Sequence, residues 1–140
     1  MIIQIIGLPG AGKTTLASAV SEWINAIHIN ADAVRKHVSN DLGFSLADRV
    51  EQARRLGGMA RMFQEQGHNV VVDFVCPTKE TCESFGKPDF LIWVDRVKES
   101  KFQDTNAMWE IPSHFDLRIP AGLTVKEELQ MTLELIGEGR

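Results

Sequence analysis

Gly7-Leu8-Pro9-Gly10-Ala11-Gly12-Lys13-Thr14 fills every fixed position of G-x-x-x-x-G-K-[ST], with Thr15 directly after it. Ahead of this stretch runs Met1-Ile2-Ile3-Gln4-Ile5-Ile6, apolar except for Gln4, which predicts a buried strand. Behind it, Thr14 to Ile24 carries helical spacing. A strand that breaks into glycines and resumes as a helix is the setting in which this octapeptide binds phosphate. The glycines let successive N–H groups turn inward, and the helix N-terminus adds positive potential. Gly7, Pro9, Gly10, Ala11, Gly12, Lys13, Thr14 and Thr15 are therefore the expected nucleotide-binding residues. Lys13 is expected to reach the β- and γ-phosphates, and the Thr14 hydroxyl to ligate Mg2+. The motif predicts binding of a Mg2+–nucleoside triphosphate. It does not separate a kinase from an ATPase or a GTPase.

Outward from the loop, short apolar runs alternate with amphipathic ones. Ala26 to Ile29 predicts a second strand and Ala31 to Val38 a short helix. Ser45-Leu46-Ala47-Asp48 has the form of a capping box. After it, Val50, Ala53, Leu56, Gly57, Ala60 and Phe63 recur at helical spacing up to Gln66, with Gly67 as the stop. Strands are expected at Asn69 to Val75, Phe90 to Val94 and Leu117 to Ile119. A second capping box, Thr124 to Glu127, opens a last helix through Ile136. Strands alternating with helices predict an α/β fold. The expected architecture is a nucleotide kinase-like P-loop NTPase, a doubly wound parallel sheet of about five strands with helices on both faces. Residues 1–140 are read as a single domain, and the ligand is expected beyond the carboxyl ends of the strands.

Composition agrees with an ordinary globular chain: 140 residues, 44% hydrophobic and 24% charged. No apolar run approaches the roughly 18 residues that a membrane helix needs. The N-terminus has no basic flank and does not read as a signal peptide. Net charge is −4 and the pI about 5.5, which argues against the nucleic-acid backbone as a partner. Cys76 and Cys82 lack CxxC spacing and suit a reducing cytoplasm, the expected location. The four histidines, His28, His37, His68 and His114, are scattered without metal-ligand spacing.

Three further stretches carry an acceptor half: Asn30-Ala31-Asp32-Ala33-Val34-Arg35, Asn40-Asp41-Leu42-Gly43-Phe44-Ser45 and Asp48-Arg49-Val50-Glu51-Gln52. Here the chain resembles the adenylylsulfate (APS) kinase family of P-loop kinases, which phosphorylate the 3′-hydroxyl of adenosine 5′-phosphosulfate. That family has D-G-D-N-V-R after strand two and K-D-L-G-F-S-x-x-D-R-x-E-N-x-R-R before the next helix. Near the end, Phe102 to Pro112 aligns with F-T-G-I-D-S-P-Y-E-A-P, with Phe102, Glu110 and Pro112 identical and Trp109 in place of the tyrosine.

The resemblance implies roles residue by residue. Asp32 would orient the acceptor hydroxyl and Mg2+. Arg35 and Arg49 would hold the anionic groups of APS, since guanidinium forks suit phosphate and sulfate oxygens. Phe44 and Phe102 would stack on the adenine. Gln52, in place of the family's asparagine, would hydrogen-bond the substrate.

Three departures stand out. Asn30 replaces the first acid of D-G-D. Strand three ends in Asp73, where the family is neutral; Asp73 is expected either to hold Mg2+ through water or to be structural, and a buried carboxylate needs hydrogen-bond donors either way. The family also has Ser where this chain has Cys76, which is read as inert packing. The third departure is length. Only Arg96-Val97-Lys98-Glu99-Ser100-Lys101 stand where the family has a longer basic lid, which predicts slower transfer or leakage to water unless Arg96, Lys98 or Lys101 substitutes. The family's segment ahead of strand one is also absent, so the chain reads as a minimal version. Arg54, Arg55 and Arg61 read as a solvated helix face, and Trp23 and Trp93 as core.

The expectation is thus an ATP-dependent kinase with Mg2+ as cofactor and adenylyl sulfate as acceptor, making 3′-phosphoadenylyl sulfate for sulfate assimilation. Two alternatives stay open. One is a P-loop kinase for another hydroxyl (a nucleoside, a sugar or a polynucleotide 5′-end); the other is an ATP-binding module without transfer. The metal ligands are expected among Thr14, Asp32 and Asp73. A homodimer is left open.

Overall fold

In the computed structural model, which describes residues 1–138, the chain order is β1 (Ile2–Ile6), α1 (Lys13–Ile24), β2 (Ile27–Asn30), α2 (Ala31–His37), α3 (Leu46–Glu65), β3 (Val70–Phe74), α4 (Lys79–Phe85), β4 (Phe90–Asp95), α5 (Gln103–Met108), β5 (Leu117–Pro120) and α6 (Val125–Ile136). The last two residues of the expected 1–140 domain lie outside the described ones. All five strands are parallel, in the order β2-β3-β1-β4-β5. This is the doubly wound sheet that the sequence predicts, with its order reversing beside β1.

Strand alternation sorts the side chains onto two faces. Ile2, Ile6, Val70, Val72 and Phe74 pack with Leu56 and Ala60 of α3 and Phe85 of α4. Ile3, Ile5, Val71 and Ile92 pack with Leu16, Ala17 and Val20 of α1, with Leu129 of α6 at the edge. The same parity has a consequence for the polar residues. Asp73 falls on the Val71 side of β3, and His28 and Asn30 on the side of β2 opposite Ile29, so all three face α1.

Helix starts follow local chemistry. Asn30 caps α2, accepting from the Ala33 N–H at 2.9 Å. Thr124 and Glu127 form the expected reciprocal box on α6. At α3 only half of the expected box forms: Ser45 accepts from the Asp48 N–H, while the Asp48 carboxylate instead accepts from the Gly43 N–H at 2.8 Å. The Gly43 N–H, in the loop ahead of the helix, offers that carboxylate an alternative donor. Helices α4 and α5, each shorter than two full heptads, have too few turns to show periodicity in the sequence. Trp23, expected in the core, is 63% exposed in the last turn of α1, although its spacing from Leu16 and Val20 sets it near the same helical stripe. Trp93 is buried as expected.

Candidate active site

The phosphate loop closes the gap between β1 and α1. Gly7 passes so close to β4 that a Cβ there would lie 2.6 Å from the Val94 carbonyl oxygen. Gly12 takes a left-handed φ of 90° just before the helix, a conformation that glycine adopts without a Cβ clash. Lys13 is buried and donates from Nζ to the Leu8 carbonyl at 2.9 Å, so the ammonium curls over the loop it will serve. Burial lowers its pKa to about 8, and the carboxylates of Asp73 and Asp32 work against that fall.

Asp73 is buried, and its donors are visible. Thr14 Oγ1 donates to Oδ2 at 2.7 Å, Asn30 Nδ2 donates to the same oxygen at 3.1 Å, and His28 Nε2 lies 2.6 Å from Oδ1. Asn30 Nδ2 also reaches Thr14 Oγ1 at 3.1 Å. The demand that a buried carboxylate find donors is therefore met, and one of them, His28, carried no signal in the sequence beyond its position two residues before Asn30. Among the described residues, no group of three or more His, Cys, Asp or Glu side chains could cage a metal. The site offers one hydroxyl and carboxylates, all oxygen, which suits Mg2+; this ion keeps waters and takes the rest of its shell from phosphates.

A cavity of about 900 Å3 joins this phosphate end to a second half. Its walls include Lys13, Thr14, Asp73 and Asp32 at one end and Arg35, Phe44, Arg49 and Phe102 at the other. The two guanidiniums flank one ring: Arg35 lies 4.4 Å and Arg49 5.4 Å from the Phe44 centroid. Arg35 donates to the Gly43 carbonyl at 2.6 Å. Arg49, buried, donates to the Phe44 carbonyl at 3.0 Å and to Thr105 Oγ1 at 2.7 Å. Burial lowers the pKa of both arginines, yet from so high a starting value that both remain cations. Phe44 is 59% and Phe102 50% exposed at the rim, so neither ring is spent on the core.

Gln52 sits differently from the substrate contact expected of it, and Cys76 from its reading as inert packing. Gln52 is buried outside the cavity wall and donates to the Ala31 carbonyl at 3.3 Å. It props the start of α2 because its helical phase on α3 points it beneath the cavity floor. Cys76 does line the cavity, but it is joined to Cys82 in a disulfide, with Cα atoms 5.7 Å apart. Cys76 takes a left-handed φ of 51°, Thr78 caps α4 two residues on, and the first turn of that helix brings Cys82 back to Cys76. That local geometry, not a CxxC spacing, makes the pairing.

Of the three cations that stand in for the lid, Lys98 pairs with Asp95 at 3.3 Å on the surface. Lys101 lines the cavity, and its Nζ lies 5.3 Å from the Phe102 centroid. Arg96 lies against Gly12 and 3.5 Å from the buried Glu128. On the α3 face, Arg54 and Arg55 pair with Glu51, and Arg55 also with Asp41, while Arg61, read with them as solvated, donates to the Phe85 carbonyl at 2.9 Å. Sequence reasoning missed Asp104 and Thr105, which reach the cavity only because α5 folds over Arg49.

Residues 1–87, more than half of the chain, match the family described as adenylylsulphate kinase. The chain belongs to that family. A curated adenylyl-sulfate kinase of Synechococcus sp. (strain JA-3-3Ab) is 42% identical over 56% of this chain and 48% of its own length. That of Shewanella oneidensis is 34% identical over 90% of this chain and 60% of its own. The chain thus spans about half the length of the curated relatives it matches. Among solved structures, the Mycobacterium tuberculosis APS kinase in complex with AMPPNP and APS superposes with a TM-score of 0.84, at 24% identity over 97% of this chain and 96% of that one. The hexameric APS kinase from Thiobacillus denitrificans gives 0.76 at 27% identity, over 99% of this chain and 29% of that one.

Proposed function

We propose that this adenylylsulphate kinase family member transfers the γ-phosphoryl group of ATP to the 3′-hydroxyl of adenylyl sulfate. The observation that carries the proposal is the continuity of one cavity from Lys13 and Thr14 to the Arg35–Phe44–Arg49 cluster. A nucleotide bearing phosphate and sulfate needs paired guanidiniums and a ring to stack on, and such stacking contributes about 1–3 kcal/mol per base. The acceptor half supplies both. The M. tuberculosis relative, described in complex with AMPPNP and APS, supports the same pairing of substrates.

In this reading the loop backbone from Gly10 to Lys13 and the Lys13 ammonium hold the phosphates in line with the acceptor. Thr14 and Asp73 would hold Mg2+, and Asp32 lines the same end of the cavity. When bound, Mg2+ would supply charge neutralisation at the phosphates. Asp32 orients the 3′-hydroxyl and takes its proton as the hydroxyl oxygen bonds to the γ-phosphorus. The bond from that phosphorus to the β–γ bridging oxygen breaks, and ADP leaves. The work is positioning and charge neutralisation. Lys101 and Arg96 partly replace the lid. A cytoplasmic location and a role in sulfate assimilation belong to this proposal. So does self-association, as in the hexameric relative.

The test is ADP formation from Mg2+–ATP with and without APS, with Lys13→Ala as the blank. Strong stimulation by APS supports the proposal. An unstimulated rate, with ATP still bound, overturns the choice of acceptor.

A further inference from the structure

We infer that His28 is a positioning residue for the metal end of the site, fixing the Asp73 carboxylate so that the Thr14 hydroxyl presents its remaining lone pair to a divalent cation. This rests on the reading above, in which Thr14 and Asp73 hold Mg2+. The geometry leaves little freedom. An ionised carboxylate only accepts, so at 2.6 Å the His28 imidazole donates from Nε2 to Oδ1. That bond commits one oxygen and fixes the carboxylate plane. The other oxygen, Oδ2, is then the one that receives the Thr14 hydroxyl proton at 2.7 Å. With its proton anchored there and one lone pair accepting from Asn30 Nδ2 at 3.1 Å, the hydroxyl oxygen keeps its second lone pair for another partner. Asn30 adds a second donor to Oδ2 but none to Oδ1. Among these contacts, Oδ1 is held by His28 alone.

Register makes the arrangement a property of the sheet. Asn30 pairs with Asp73 and His28 with Val71, so β2 presents His28 and Asn30 to the same face as Asp73, toward α1. His28 sits at the edge of that face, with its side chain 22% exposed, while Asp73 is 2% exposed. It has no wall position in the cavity, so it acts on a ligand only through Asp73.

The experiment compares ADP binding with Mg2+ and with EDTA, by calorimetry, in the wild-type chain, His28→Leu and His28→Gln. Outer-shell partners of metal ligands are typically worth about 10–100-fold in metal affinity. His28→Leu should therefore reduce the Mg2+-induced gain in ADP affinity about tenfold and leave the affinity in EDTA alone. His28→Gln, which restores an N–H at the same reach, should recover most of the gain. An unchanged gain in His28→Leu overturns the inference, and so does equal weakening with and without Mg2+, which is the mark of a merely structural residue. If the wild-type chain itself shows no Mg2+ gain, the metal reading of Thr14 and Asp73 fails first, and this outcome is separate from the other two. The intact chain gives a check that needs no variant: the imidazole 15N signal of His28 should shift when Mg2+ joins the ADP complex, and a fixed signal overturns the inference.

Discussion

Helix α3 carries two adjacent glycines whose replacement by alanine should move stability in opposite directions. A Cβ on Gly57 would fall inside the van der Waals envelope of the Phe85 carbonyl oxygen and lie 2.9 Å from its carbon and 3.1 Å from Arg61 Nη1. Phe85 is buried at the end of α4, and its carbonyl also accepts from Arg61 at 2.9 Å, so it cannot yield freely. Carbon atoms pack at about 3.5–4.0 Å, so α4 must retreat by more than about half an ångström. Overpacking of this kind costs about 1–3 kcal/mol. A Cβ on Gly58 meets nothing within 4 Å. Each substitution gains about 1 kcal/mol of helix propensity, so that contribution cancels between them. Gly58→Ala should be the more stable of the two by about 1–3 kcal/mol. For a domain of this size that separates the melting temperatures by about 4–10 °C. Scanning calorimetry on the two variants and the parent reads the difference. Equal melting temperatures, or a Gly57→Ala variant above Gly58→Ala, would refute the close approach of α3 and α4.

Two expectations concern the site. Lys13, with its pKa lowered to about 8 by burial, is half charged there in the free protein, while bound phosphates favour the ammonium. ADP affinity in EDTA should therefore hold below pH 8 and fall toward tenfold per pH unit above it, with proton uptake on binding; a flat calorimetric profile from pH 7 to 9.5 would contradict this. Arg49→Lys loses the fork that spans Phe44 and Thr105. Hydrogen bonds to charged groups are worth about 1.5–3 kcal/mol, so KM for APS should rise about 10–100-fold with KM for ATP nearly unchanged. Steady-state kinetics with each substrate varied would show it, and a parallel rise in both would count against the acceptor assignment.

Most of the fold was legible because its signals are local. The octapeptide Gly7 to Thr14 fixes a strand-loop-helix, and the valines of β3 and the Thr124 box mark their elements without tertiary help. The gathering of Asp32, Arg35, Phe44 and Arg49, proposed as the acceptor half, was legible, because their placement depends on one loop and the ends of α2 and α3. What the sequence hid depends on contacts between distant segments. His28 meets Asp73 across 45 residues of chain, and Thr105 meets Arg49 across 56. Gln52 shows the converse: its type suits a substrate contact, but the phase of α3 turns it under the floor. Trp23 shows that helical spacing alone does not place a residue in the core: it continues the stripe of Leu16 and Val20, yet in the last turn of α1 it is exposed. The Cys76–Cys82 pairing follows from the left-handed backbone at Cys76 and the start of α4, which no spacing rule describes.

The central claim is phosphoryl transfer to a 3′-hydroxyl, and following the label from [γ-32P]ATP tests it most directly. With Mg2+ and APS present, label should appear in 3′-phosphoadenylyl sulfate, and Lys13→Ala should slow its appearance about 10²–10³-fold, the scale of removing one transition-state charge stabiliser. Label recovered only as inorganic phosphate, or unmoved from ATP while ATP is bound, would contradict the account.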